Sequence, residues 1–198
     1  MTSPAAALAG QCPYVASWCR RGAPAAVCSY LVPSPAGARL FRKRGWQGFH
    51  AAVAPWAASL GIELGSARIV DELPGGDSAP AAQPTNPDLT CVVPDGSDAI
   101  VCTLRVPFDL AVFHGHFPTV PIVPGAMLVG WAAALAAQHG GWTYGARQSV
   151  AMKFRRIVQP GPDYRLRLER ARDGRRVDFR LESDAGVHAV GALLAPPA

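Results

Sequence analysis

A chain of 198 residues with 49% hydrophobic side chains is large enough to bury a core in one domain or two, and its 19 prolines and 20 glycines form no repeat. Collagen-like and wholly disordered classes are thereby excluded. The net charge is +5, carried by 17 arginines and only two lysines, Lys43 and Lys153. That balance suits an acidic partner, but no nucleic-acid-binding signature accompanies it, so nucleic acid is not the expected partner.

The five cysteines (12, 19, 28, 91 and 102) are odd in number and lack CxxC spacing, which speaks against a disulfide framework or a zinc site and implies a reduced cytoplasm. MTSPAAALAGQ has no basic start and no sustained apolar core, so no signal peptide is expected. The longest apolar run, about Ile122 to Ala137, is interrupted and too short to span a bilayer.

Taken in order, residues 1–24 give little signal. AAVCSYLVP (25–33) reads as a strand, SPAG as a turn, Leu40–Leu60 as a helix bearing Phe41, Trp46, Phe49, Val53 and Trp56, and ARIVDELP (67–74) as a second strand. Together 25–74 form a small α+β segment. GGDSAPAAQPTNP (75–87) has no hydrophobic periodicity and reads as a linker. Residues 88–198 then form a second domain.

In that domain LTCVV and AIVCTLRV flank the turn PDGSD in a hairpin pattern. Residues 107–123 are extended and punctuated by proline. Pro124 suits a first helical turn, and AMLVGWAAALAAQ continues as helix until Gly140 and Gly141 end it. This helix is apolar on nearly all sides, which predicts burial. SVAMKFRRIV, YRLRLERAR, RVDFRLES and VHAVGALLA read as strands, with Asp173–Gly174 turning between the second and third. One buried helix wrapped by about five antiparallel strands is an α+β arrangement.

Residues His116 to Gly125, HFPTVPIVPG, resemble the HFPxxPxxPG signature of hotdog-fold 3-hydroxyacyl-[acyl-carrier-protein] dehydratases. KFRRIVQPGPDYRLRL, from Lys153, resembles the strand after the central helix in that family, with Phe154, Arg155 and the Pro160–Gly161 turn in place. The resemblance is greatest to the dehydratase-like proteins of aryl-polyene pigment clusters. It implies a hotdog fold, an acyl chain of fatty-acid, aryl-polyene or polyketide assembly carried on the phosphopantetheine of acyl carrier protein, no bound cofactor, and a homodimer or a heterodimer with another hotdog subunit.

Dehydration of a 3-hydroxyacyl thioester needs a base for the C2 proton, an acid for the departing hydroxyl and a donor for the carbonyl oxygen as it gains enolate charge. The resemblance gives the base to His116 and the carbonyl donor to the backbone N–H of Gly125. It places Phe117, Pro124, Trp131 and Phe154 around the substrate. His114 and His116 form an HxH pair without a third ligand, so no metal is expected and His114 is read as structural or hydrogen-bonding. The family's acid lies fourteen residues after the His. Here that position is Gly130, and no carboxylate occurs from Leu110 to Pro162.

Three readings arise from this gap: a working dehydratase with another acid, a non-catalytic hotdog subunit that binds acyl carrier protein or pairs with an active dehydratase, and a thioesterase on the same fold. The thioesterase reading is weakened because hotdog thioesterases also use a carboxylate near the helix. Residues 25–80 resemble, more faintly, the C-terminal lid of adenylate-forming acyl-CoA synthetase-like ligases, in VCSYLVPSPAG, the arginine-bearing helix and RIVDELP. The loop Gly75–Pro80 contains no Lys where that family carries its catalytic Lys, so adenylation is not expected.

Overall fold

In the computed structural model, residues 12–22, 27–75, 82–96, 98–117, 119–143 and 149–195 are described. Residues 1–11 and 23–24 of the unassigned N-terminus and 76–81 of the linker expected at 75–87 lie outside them, as does Arg147. The chain divides into two compact units: Met1–Thr85 with Pro107–Pro121, and Asn86–Val106 with Ile122–Ala198.

The first unit contains a three-stranded sheet in the order β1 (Val15–Arg21), β2 (Cys28–Pro33), β3 (Arg68–Ile69). β1 runs antiparallel to β2, and β3 runs parallel to it. Helix α1 spans Pro35–Ser59. The expected SPAG turn is in fact its start. Ser34 is the N-cap, its hydroxyl accepting from the Gly37 N–H at 3.1 Å, with Pro at the first helical position where its missing N–H costs nothing. The helix kinks at Gly45, whose φ of 60° lies in the left-handed region open to glycine. Leu31, Phe41, Phe49, Val53 and Ile69 form the core of this unit, and Phe108 joins it from the connector. Phe41 meets Phe49 and Phe108 edge to face, with ring centroids 6.3 and 5.7 Å away. Of the expected strand 67–74, only Arg68–Ile69 pairs.

The second unit is a hotdog fold. Its six-stranded antiparallel sheet has the order β4-β5-β7-β8-β9-β6, formed by β4 (Asp88–Pro94), β5 (Ala99–Arg105), β6 (Ser149–Phe154), β7 (Asp163–Arg170), β8 (Arg176–Ser183) and β9 (Gly186–Leu194). Period-two alternation puts Leu166, Leu168, Val177, Phe179 and Leu181 inside and arginines outside. Helix α2 (Gly125–Gly140) packs Leu128, Trp131, Ala132, Leu135 and Ala136 inward and ends at Gly141, whose φ is 67°. Its burial is one-sided, contrary to the expectation from its apolar sequence. Ala126, Gly130 and Ala134, one turn apart, are exposed, because a single sheet covers only one stripe of a helix.

The outward arginines are tied to acids by several exposed ion pairs, including Arg105 with Asp163 at 2.9 Å, Arg167 with Asp95 at 2.8 Å and Arg180 with Glu182 at 3.0 Å. Each such pair contributes at most about 1 kcal/mol to stability.

Candidate active site

His116 and Phe117 belong to the first unit, whereas Pro124, Gly125, Trp131 and Phe154 belong to the second. Beyond Pro107 the connector makes a 3-10 turn at Ala111–His114, and the His116 N–H closes it onto the Val112 carbonyl at 2.9 Å. The half-buried His116 ring lies with its centroid 4.2 Å from that of Phe117. Phe117 has φ 53°, a costly conformation for a bulky residue, and its ring is 54% exposed. Local strain of this kind persists where surrounding structure imposes it. His114 is engaged elsewhere: the Gln83 amide nitrogen donates to its Nε2 at 2.6 Å. Among the described residues no group of three or more His, Cys, Asp or Glu side chains is placed to hold a metal ion.

In the second unit, Pro124 is the N-cap in an extended conformation (φ −59°, ψ 141°), one position ahead of the first turn expected for it. Gly125 is the first helical residue. The first N–H groups of a helix have no partner inside it and sit at its positive end, so this is a place where an oxygen gaining negative charge can be held. A Cβ on Gly125 would stand 2.2 Å from Cζ of Phe154 and 3.3 Å from Cε of Met152. Glycine is therefore what lets the Phe154 ring lie against the helix start. Trp131, on the inward face of α2, is buried and lines a small crevice with Leu128, Leu166 and Phe179.

Behind Phe154 lies a network that the sequence did not announce. Buried His188 donates from Nδ1 to the Ile157 carbonyl at 2.7 Å and accepts at Nε2 from the Ser183 hydroxyl at 2.7 Å. Its own carbonyl receives the Arg155 N–H at 2.8 Å. The Tyr164 hydroxyl donates to the Gln159 carbonyl at 2.8 Å and receives the Gln159 N–H at 2.9 Å, and its ring meets His188 edge to face. These bonds fix residues 155–159, the turn into which Phe154 leads. A lone His in VHAVGALLA carries no local signal of such a role.

At Gly130 a Cβ would find no atom within 4 Å among the described residues. The expected acid position is thus open and carries no side chain. Asp109, the nearest carboxylate before it in sequence, is bound to Arg68, with both side chains largely buried.

A family model, ApeI-like (ApeI dehydratase), matches residues 93–192, just over half of the chain. The chain belongs to the ApeI-like dehydratase family. It is 32% identical over 85 residues to the 3-hydroxyacyl-[acyl-carrier-protein] dehydratase FabZ of Lactobacillus helveticus, covering 38% of this chain and 57% of that one. The same-named protein of Levilactobacillus brevis is 32% identical over 79 residues, covering 36% and 53%. The chain therefore spans about half the length of these curated relatives. Among solved structures, the dehydratase heterocomplex ApeI:P from Xenorhabdus doucetiae aligns at 23% identity and a TM-score of 0.49, covering 55% of this chain and 96% of that one. The ApeI-like match contains both His116 and Gly130. No helix among the described residues is long and apolar enough to cross a membrane.

Proposed function

We propose that this ApeI-like protein acts on 3-hydroxyacyl thioesters delivered by acyl carrier protein, in fatty-acid, aryl-polyene or polyketide assembly. His116 takes the C2 proton and the Gly125 N–H holds the thioester carbonyl as enolate charge develops. The C3 hydroxyl leaves as water once an acid supplies its proton. The observation that carries this reading is the helix start at Gly125, bare of a side chain and covered by Phe154, within a chain whose HFPTVPIVPG supplies the histidine.

The source of the acid divides two versions of the function. The empty position at Gly130 and the commitment of Asp109 to Arg68 favour a chain that binds the acyl carrier or completes its site with another hotdog subunit. A hotdog leaves sheet edges unpaired, which favours dimerisation. Residues 25–74 serve as an appended module without ligase chemistry, since the loop that would need a Lys has none.

The test is hydration of a 2-enoyl thioester by the purified protein, alone and with a neighbouring hotdog protein, with His116→Ala as control. Turnover alone that is lost in the control supports the self-sufficient dehydratase. Turnover only with the partner supports the paired form. No turnover in either case, with binding of acyl carrier protein retained, leaves the carrier-binding subunit. Activity that survives His116→Ala rules out the assigned base.

A further inference from the structure

The first unit holds a narrow pocket of about 40 Å³, open on one side. Its walls are rings and branched carbon: Phe41 and Trp46 from α1, Ile69 from β3, and Phe108, Phe113 and Phe117 from the connector. Phe117 is the residue whose ring packs at a tilt against His116, at a backbone φ of 53°. A group lying in this pocket therefore lies against the ring that touches the proposed base. The charged groups at the pocket are paired with each other. Arg68 pairs with Asp109, and Gln83 donates to His114. Among the described residues no net charge faces the space, so a carboxylate, a phosphate or an ammonium group would enter without a counter-charge, at the cost of its own hydration. Hydrocarbon enters at no such cost.

We propose that this pocket takes the apolar end of the acyl chain whose thioester is presented to His116, so that the front segment sets which chain ends are accepted. The proposal rests on the dehydratase-like reading given above, and it gives residues 25–74 a substrate-selecting role in place of a catalytic one. The kink of α1 fits the role: Gly45, at φ 60°, lies in the pocket wall and brings backbone instead of a side chain to the ligand. Strained Phe117 joins the two functions, since it both lines the pocket and contacts the ring of the base.

The experiment is calorimetric binding of saturated acyl thioesters of N-acetylcysteamine, from four to ten carbons, to the full chain. These probes have neither the double bond nor the 3-hydroxyl, so no turnover intervenes. In the wild type, affinity should rise roughly fourfold per methylene until the pocket is full. Ala67→Phe, which fills the pocket from β3's leading edge, should flatten that rise and leave the four-carbon probe within about twofold of wild type. Trp46→Ala, at a half-buried position, should let the rise continue to longer chains. It decides the question if the Phe variant fails to fold. An unchanged chain-length dependence in either folded variant overturns the proposal. So does a dependence that responds only to Leu128→Phe, which would place the chain end in the crevice beside Trp131. Loss of turnover in His116→Ala bears on the base alone, and the two failures remain separate.

Discussion

Gly130 is the position at which stability and catalysis can be read independently from one residue. It is exposed in the middle of α2, and a Cβ there would meet nothing within 4 Å among the described residues. Glycine inside a helix costs about 1 kcal/mol relative to alanine, through backbone entropy alone where no contact depends on it. Gly130→Ala should therefore stabilise the protein by a little under ~1 kcal/mol. The thermal midpoint should rise by about 2–4 °C if the whole chain melts together, and by about 4–8 °C if the hotdog unit melts by itself. Gly130→Glu should keep most of this gain, since glutamate is nearly as good a helix former. It also returns a carboxyl group fourteen residues after His116, where the resemblance expects the acid. A positioned general acid contributes about 10²–10⁴ in rate, so hydration of a 2-enoyl thioester by Gly130→Glu alone should exceed wild type by at least the lower figure. Differential scanning calorimetry and the hydration assay read the two effects separately. A lower midpoint in Gly130→Ala would refute the reasoning at its root, because it would mean another surface occupies this place. A raised midpoint without a gain in rate for Gly130→Glu would show that the acid is not what the site lacks.

Gly125→Ala puts its methyl 2.2 Å from Cζ of Phe154. The half-exposed ring must swing out, so hydration should fall roughly 10²-fold while the midpoint barely moves, as kinetics and calorimetry on the same sample will show. Gly191→Ala has the opposite signature to Gly130→Ala. Its Cβ would stand 2.5 Å from the Ala151 carbonyl oxygen and 2.5 Å from Cζ of Phe179, one of them backbone, and urea denaturation should show a loss of about 1–3 kcal/mol. Burial pushes the Cys102 thiol from 9.0 up to about 11, with Cys91 adding to the rise. Its folded value lies above its unfolded one, so its stabilising contribution is whole below pH 9 and lost as pH climbs to about 11. Alkylation at pH 8 should label exposed Cys91 and spare Cys102 until the protein unfolds, a contrast that peptide mapping resolves.

The hotdog unit was the more legible half of the chain because its signals are local. Alternation marks β7 and β8, and Asp173–Gly174 turns with Gly174 at φ 69°. The front unit was less so. β1 was missed because VASWCRR is mostly half-buried or exposed and pairs only with β2. Ser34–Pro35 fits a turn or a helix start equally well by composition, and the Gly37 N–H bonded to the Ser34 hydroxyl makes it a helix start. β3 is two residues long because only Tyr30 and Leu31 offer it parallel partners. His116 and Gly125 were both visible in one motif. Invisible was the packing of Phe108 into the front core, since no period within 107–121 records which core its apolar side chains join. The His188 network was hidden for the same reason: its partners lie in three separate stretches of sequence.

On the proposed dehydratase reading, the parts that this chain keeps and the part it lacks differ in how the fold holds them. Gly125 is bound into the packing of Phe154 and Met152, and the turn after Phe154 is held by His188 and Tyr164. Altering Gly125 displaces the Phe154 ring, and altering His188 or Tyr164 leaves polar groups unmatched. The acid is a single side chain on a helix surface that nothing among the described residues covers. Its loss leaves no cavity and no unpaired partner, so the fold offers no resistance to giving it up. A hotdog chain can thus part with its acid, or leave it to another subunit, while the apparatus for gripping a thioester stays whole. On that reading the proton donor, not the fold, is the property to measure.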